Sequence, residues 1–266
     1  ETYTVECMMH DKKALQAGTS HYFGDGFARA FEITFTGKDN QLHYPHQTSW
    51  GVSTRMIGGI IMTHGDNNGL VLPPRIAPIQ VVIIPVAQHK EGVLEANRAV
   101  MDRLVKAGFR VKMDDSDQSA GWKFAEYEMK GIPLRLELGP KDMEKNQCVL
   151  VRRDSGEKSF VSLDGIEDTV AAMLDAIHDG LYARAKKNLE DNTYACSSLE
   201  EVREKMKERG GFAKTMWCGD EACEVRMKEE AGVTSRCIPF AQEHLGDVCP
   251  ICGKPAKHMI YWGVAY

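Results

Sequence analysis

Ile79-Gln80-Val81-Val82-Ile83-Ile84-Pro85-Val86 is a nearly unbroken apolar run rich in β-branched residues. It has the length of one strand, and with no polar alternation it reads as a strand covered on both faces. The residues that follow supply the cover. Residues 91–107 carry a helical period and stop at Gly108, residues 109–113 form a second strand, and residues 119–130 form a helix closed by Gly131. Leu134-Arg135-Leu136-Glu137-Leu138 alternates as a third strand. Residues 148–151 and 159–163 then form a hairpin over Asp154-Ser155-Gly156, and residues 166–188 a long amphipathic helix. Strand–helix–strand–helix–strand predicts an α/β sandwich with a largely parallel sheet.

Working outward, composition marks three segments: 1–78, 79–188 and 189–266. The first is rich in Gly, Thr, Ser, His and aromatics, and ends at the double proline Pro73-Pro74. Its residues 30–35 alternate apolar and polar, which predicts a half-buried strand. The third segment is α+β. Its first helix opens near Ser198 and stops at Gly210-Gly211.

Four cysteines in the third segment fall in two close pairs, Cys218 with Cys223 and Cys249 with Cys252. The second pair is a C-x-x-C followed by glycine, a turn that aims backbone amides at thiolate sulfurs. Two such pairs predict a structural Zn²⁺ with four sulfur ligands. The competing reading is four buried thiols acting as small apolar groups. Of the segment's two other cysteines, Cys237 predicts a core position, while His244 and His258 are ligands by residue type alone.

The bulk properties bound the answer. The chain has 266 residues, 43% of them hydrophobic and 27% charged, with a net charge of −5. This is an ordinary globular composition with no apolar run of membrane-spanning length. An acidic total does not advertise nucleic-acid binding, although a local basic patch is compatible with it. Eight cysteines and no signal-peptide pattern fit reduced thiols, zinc and the cytoplasm. The chain begins Glu1-Thr2-Tyr3 without an initiator methionine and reads as part of a longer protein.

Residues 16–21, Gln-Ala-Gly-Thr-Ser-His, read alone as a polar loop. Residues 50–58 change that, because they set Arg55 just inside an apolar helix after a short glycine-hinged strand. An arginine leaving such an element is costly to hold unless it meets an anion, and its fork suits phosphate. Q-A-G-T-S-H-Y-F-G, Q-T-S-W-G-V-S-T-R-M-I-G and M-T-H-G-D-N-N-G-L-V-L-P-P-R-I-A-P-I-Q-V-V-I-I-P together resemble the prolyl-tRNA synthetases, in the form with a C-terminal zinc domain. The resemblance covers essentially the whole chain, and G-V-S-T-R is similar to motif 3 of the class II synthetases.

The resemblance implies a fold in three parts. Residues 1–78 would be the second part of a class II antiparallel-sheet catalytic domain. Residues 79–188 would be an α/β anticodon-binding domain, and residues 189–266 a small α+β zinc-binding domain. It implies that Arg55 is catalytic and grips the ATP γ-phosphate, with Gln16, Thr19 and Ser53 also on ATP, and Mg²⁺ accompanying the nucleotide. It implies that His21, Ser49 and Trp50 line a proline pocket. Phe124, Glu128, Arg135, Lys141 and Lys158 would meet the anticodon of tRNA(Pro), whose two guanines suit arginine and carboxylate. Without the resemblance, Glu128 and Lys130 read as a solvated helix face. Cys218, Cys223, Cys249 and Cys252 are the implied zinc ligands, and Tyr266 would return toward the active site.

The implied activity is proline–tRNA ligation in a homodimeric full-length parent, through prolyl-adenylate. Motifs 1 and 2 of the class II enzymes do not occur in the chain, so it is expected to be inactive alone. The alternative expectation is a non-catalytic tRNA-binding module that uses only the anticodon-binding and zinc domains.

Overall fold

The computed structural model describes all 266 residues, Glu1–Tyr266. They pack into two compact units, one of Glu1–Thr63 with Asn188–Tyr266 and one of His64–Lys187. In chain order the elements begin with β1 (Thr2–Met8), β2 (Ala14–Gly24), α1 (Gly26–Ala30), β3 (Phe35–Thr36), β4 (Leu42–His43), β5 (Gln47–Val52) and α2 (Arg55–His64). Then come β6 (Val81–Pro85), α3 (Val93–Lys106), β7 (Val111–Met113), α4 (Ala120–Met129), β8 (Leu134–Leu138), α5 (Pro140–Met143), β9 (Gln147–Arg152), β10 (Lys158–Ser162) and α6 (Ile166–Asp191). The last are β11 (Thr193–Ala195), α7 (Leu199–Glu208), β12 (Phe212–Trp217), α8 (Glu221–Ala231), β13 (Thr234–Cys237) and β14 (His258–Gly263).

In the His64–Lys187 unit, five strands lie in the order β10-β9-β8-β6-β7. Pairs β6–β7 and β6–β8 are parallel, while β8–β9 and β9–β10 are antiparallel. The expected largely parallel sheet is therefore a mixed one. The connection from Leu138 to Gln147 is too short for the roughly dozen residues of a parallel crossover, so the chain doubles back. Alternation along the strands sorts two cores. Val81, Ile83, Leu134, Leu136, Leu138 and Leu150 pack against α3 and α6. Helix α6 supplies Ile166, Val170, Leu174, Ile177 and Leu181, spaced by three or four residues so that one stripe faces the sheet. On the opposite face Val82 and Ile84 pack with Tyr127 and Ile132, and α4 lies over this half of the sheet.

In the other unit, β1, β2 and β5 form an antiparallel sheet. The strand expected at residues 30–35 does not form. Helix α1 ends at Ala30, the Ile33 amide closes back on Ala28 O at 2.8 Å, and Glu32 has φ +54°. A residue in the left-handed region interrupts any extended run, so the apolar–polar alternation there carried no strand. The third segment forms a mixed sheet in the order β11-β12-β14-β13. Helix α7 starts where the Ser198 hydroxyl accepts the Glu201 amide at 3.1 Å, while the Glu201 carboxylate takes the Ser197 amide at 2.8 Å. Trp262, Val202, Met227 and Val233 fill the core of this part.

The first and third sequence segments share this unit. Phe212 joins Met8 and Ala14 in one buried cluster, and Ala14 pairs with Ala265. The Tyr266 hydroxyl donates to Asp11 at 2.7 Å, and Lys13 stands over the Tyr266 ring. The C-terminal residues thus return to the start of β2, close to Gln16.

Candidate nucleic-acid interface and metal centre

Strand β8 separates two roles by parity. Leu134, Leu136 and Leu138 are fully buried on the α3/α6 face, so Arg135 and Glu137 project from the other. The pairing register runs Val82, Arg135, Val151, Lys158 straight across four strands, which sets Arg135 and Lys158 on the same face. A cavity of about 190 Å³ opens there, lined among others by Tyr127, Glu128, Arg135, Arg153 and Lys158. The Arg135 Nε donates to Glu137 at 2.9 Å, and its guanidinium lies 4.1 Å from the Phe124 ring centroid. Arginine held over an aromatic ring, with its Nε on a neighbouring carboxylate, keeps its terminal nitrogens as prepared donors.

Of the five residues implied for anticodon contact, Phe124, Glu128, Arg135 and Lys158 therefore come together. Lys141 lies on α5, beyond the far end of β8, and does not line this cavity. Arg153 is the participant that sequence reasoning missed. Its Nε donates to Glu128 O at 2.8 Å and its two terminal nitrogens grip Asp66 at 2.7 and 2.6 Å. These Arg153 bonds hold the Asp66 carboxyl down at about 2. The clue in the sequence is the pair Arg152-Arg153 at the end of a hairpin strand. Arg152 is engaged elsewhere, bidentate to Asp154.

In the first segment a cleft of about 360 Å³ is lined by Gln16, Gly18, Thr19, Gly51, Ser53 and Arg55, among others. The pairs Thr19–Gly51 and His21–Ser49 share one sheet face, together with Thr2 and Thr4. A β-bulge between Val5 and Glu6 shifts the register so that Glu6 pairs with Gln16, which turns Gln16 to that same polar face. Gln16, Thr19, His21 and Ser49 are thus aligned. Trp50 pairs with Ser20 and lies on the opposite, apolar face with Val52, so the plane of the sheet separates it from His21 and Ser49. His21 accepts or donates to Thr2 Oγ1 at 2.9 Å and stacks on Phe23. Arg55 opens α2 with its amide on Ser53 Oγ at 3.3 Å. A cation at a helix N-terminus opposes the dipole, and a bound anion removes that conflict.

The four sulfur atoms of Cys218, Cys223, Cys249 and Cys252 all lie within 4.8 Å of one another. Cys218 Sγ is 3.7 Å from Cys223 Sγ and 3.6 Å from Cys252 Sγ. Tetrahedral sulfurs at ~2.3 Å from a zinc ion stand ~3.8 Å apart, so the spacing fits this donor set. The backbone supports it. Gly253 sits at φ +74° and donates its amide to Cys249 O at 2.8 Å, which closes the knuckle. Burial pushes the Cys218 and Cys223 thiols up, whereas a Lys254 backbone hydrogen bond brings exposed Cys252 down to about 7. Cys237 stands outside the cluster and is half-buried rather than core, and His244 and His258 are exposed and do not join it. No helix is long and apolar enough to cross a membrane.

Two family models match the chain: an anticodon-binding domain over residues 80–173, and the prolyl-tRNA synthetase C-terminal domain over residues 199–266. The chain is similar throughout to the C-terminal part of proline–tRNA ligases. A proline–tRNA ligase of Ruminiclostridium cellulolyticum is 61% identical over 265 residues, covering 100% of this chain and 55% of the relative. One from Clostridium botulinum (strain Okra / Type B1) is 59% identical over 266 residues, with the same two coverages of 100% and 55%. Proline–tRNA ligase 2 of Bacillus thuringiensis subsp. konkukian is 58% identical over 265 residues, covering 100% of this chain and 56% of the relative. The chain spans about half the length of the curated relatives it matches.

Proposed function

We propose that this chain is the C-terminal part of a proline–tRNA ligase, binding tRNA(Pro) through its α/β unit and completing one side of an ATP and proline site with its first segment. The observation that carries this is the convergence of Phe124, Glu128, Arg135 and Lys158 beside one cavity, inside the stretch matched by the anticodon-binding model. Arg135 offers paired donors to guanine N7 and O6, Glu128 offers acceptors to guanine N1–H and N2–H, and Lys158 takes the phosphate backbone. Lys141, on its own helix, would reach the backbone farther along the loop.

In the whole enzyme the proline carboxylate attacks the ATP α-phosphorus and pyrophosphate leaves. The tRNA 3′-terminal hydroxyl then displaces AMP from the carbonyl. Because the substrate carboxylate is the nucleophile, the protein contributes alignment and charge stabilisation. Arg55 would hold the γ-phosphate, with Gln16, Thr19 and Ser53 around the nucleotide. His21 and Ser49 would face proline, while Trp50, on the opposite face of the sheet, would stand behind that pocket. Mg²⁺ bound with ATP screens the phosphate charge. Cys218, Cys223, Cys249 and Cys252 would hold a structural Zn²⁺ that fixes the fold of the third segment. The full-length enzyme is proposed to be a cytoplasmic homodimer.

The test is binding of the chain to tRNA(Pro) and to the same tRNA with both anticodon guanines replaced by adenine. Preference for the native anticodon is expected; equal affinity for the two would overturn the reading.

A further inference from the structure

Asp66-Asn67-Asn68-Gly69 forms a closed turn. The Asp66 amide donates to Gly69 O at 3.0 Å, the Gly69 amide returns to Asp66 O at 3.2 Å, and the Asp66 carboxylate accepts the Asn68 amide at 2.9 Å. Backbone contacts then fix this turn against the end of α4. The Leu70 amide donates to Met129 O at 2.9 Å and the Leu72 amide to Gly131 O at 3.2 Å. The approach is too close for side chains. A Cβ on Gly69 would stand 2.5 Å from Met129 O, and one on Gly131 would stand 2.6 Å from the Leu70 backbone. Arg153, only 5% exposed, ties the two together by gripping Asp66 while donating to Glu128 O. From this fixed platform, Asn68 Nδ2 donates to Glu128 Oε1 at 3.0 Å.

We propose that Asn68 is a positioning residue for nucleobase recognition: it fixes the rotation of the Glu128 carboxylate so that both oxygens meet the Watson–Crick edge of a guanine. The inference rests on the reading of Glu128 as a guanine contact. The terminal torsion of a glutamate is broad and not fixed by its own rotamer preference. Each carboxylate oxygen has two acceptor positions, so Oε1 holds the Asn68 amide and still accepts from a base. A guanine brings two parallel donors, N1–H and N2–H, and needs both oxygens in its plane. Inosine lacks the N2 amine and brings one. A carboxylate free to turn satisfies a single donor in many orientations, so it separates the two bases less well. Fixing it in advance removes the ordering cost from the binding step and favours the two-donor base.

The experiment uses the 266-residue chain and a fluorescent stem–loop RNA whose loop carries two adjacent guanines, with inosine substituted at each in turn. Affinity is read by anisotropy for the native chain, Asn68→Ala, Glu128→Ala and the double variant. Asn68→Ala is expected to weaken guanine binding about five- to tenfold, to shrink the guanine-to-inosine ratio at one loop position, and to add nothing once Glu128 is alanine. A full additional loss in the Glu128→Ala background, or an unchanged guanine-to-inosine ratio, overturns the positioning role and leaves Glu128 as a reader. A silent Glu128→Ala overturns the guanine reading itself, and the proposal with it. Asn68→Asp guards against misfolding, because it keeps the size of the side chain while exchanging the donor for an acceptor. It should bind at least as weakly as Asn68→Ala with an unchanged melting temperature, and native affinity in Asn68→Asp would sink the proposal.

Discussion

The sheet of the His64–Lys187 unit and the β1-β2-β5 sheet of the other unit carry candidate sites of opposite construction. In the first, Val81, Val82, Ile83 and Ile84 are wholly buried, and Arg135 stands on a strand anchored from behind by leucines while Phe124 and Glu128 stand on helix α4. In the second, Trp50 is 79% exposed and Val52 68%, and the cleft residues rest on strands aligned by hydrogen bonds and two register shifts. The comparison teaches that a site inherits its rigidity from what lies under it. Arg135 is backed by leucine packing on the far face of its strand and Glu128, on helix α4, is held by the Asn68 amide, whereas Gln16 and Thr19 are placed by strand register.

The largest effect is expected where neither sheet supplies the support. Cys249→Ser should reduce bound zinc from about one equivalent to nearly none and unfold the third segment, because structural zinc contributes about 10–16 kcal/mol to such modules. Metal analysis with circular dichroism checks this, and full retention of structure without metal would show that packing suffices. Next, Leu136→Ala should destabilise the α/β unit by about 2–5 kcal/mol, whereas Val52→Ala on the exposed sheet should stay within about 0.5 kcal/mol. Comparable losses in denaturant melts would erase the contrast between the sheets. Arg135→Ala should weaken tRNA(Pro) binding by about 1–3 kcal/mol while leaving the melting temperature nearly unchanged, since its face is not the leucine face. A fall in melting temperature matching the loss of affinity would make Arg135 structural.

The smallest effect is a pH dependence. Asp66 titrates at about 2 because Arg153 holds its charged form. A depressed carboxylate stabilises the fold above its ordinary titration range, and the contribution disappears as pH falls through that range toward 2. Asp66 is 47% exposed, so solvent screening limits the effect to about 1 kcal/mol or less. Asp66→Asn should therefore lower stability at neutral pH and converge with the native protein near about pH 2. A constant gap across the titration would assign the effect to the turn's geometry instead.

The sequence made the α/β unit legible because its strands are either continuous apolar runs or clean alternations between helices with glycine stops. Residues 134–138 were read as the strand they form. The cysteine pairs were legible for a similar reason, since ligand spacing is local. The polar face of the first sheet was not, because the alignment of Gln16 with Thr19 depends on a bulge that only strand pairing reveals. The resemblance sets Ser49 and Trp50 beside one pocket, yet neighbouring strand residues point to opposite faces. Arg153 was missed because its partner Asp66 is distant in sequence, and neither residue carries a periodic signal. The false strand at residues 30–35 came from apolar side chains that are in fact exposed, such as Phe31 at 71%.

Strand β8 has a practical consequence for redesign. Its leucines are committed to the core, whereas Arg135, between them, lines the cavity on the other face and pairs with Glu137. A selection library varied at Arg135 and at exposed Lys158 leaves those leucines untouched, so it would sample new ligand preferences with the main core of the unit intact.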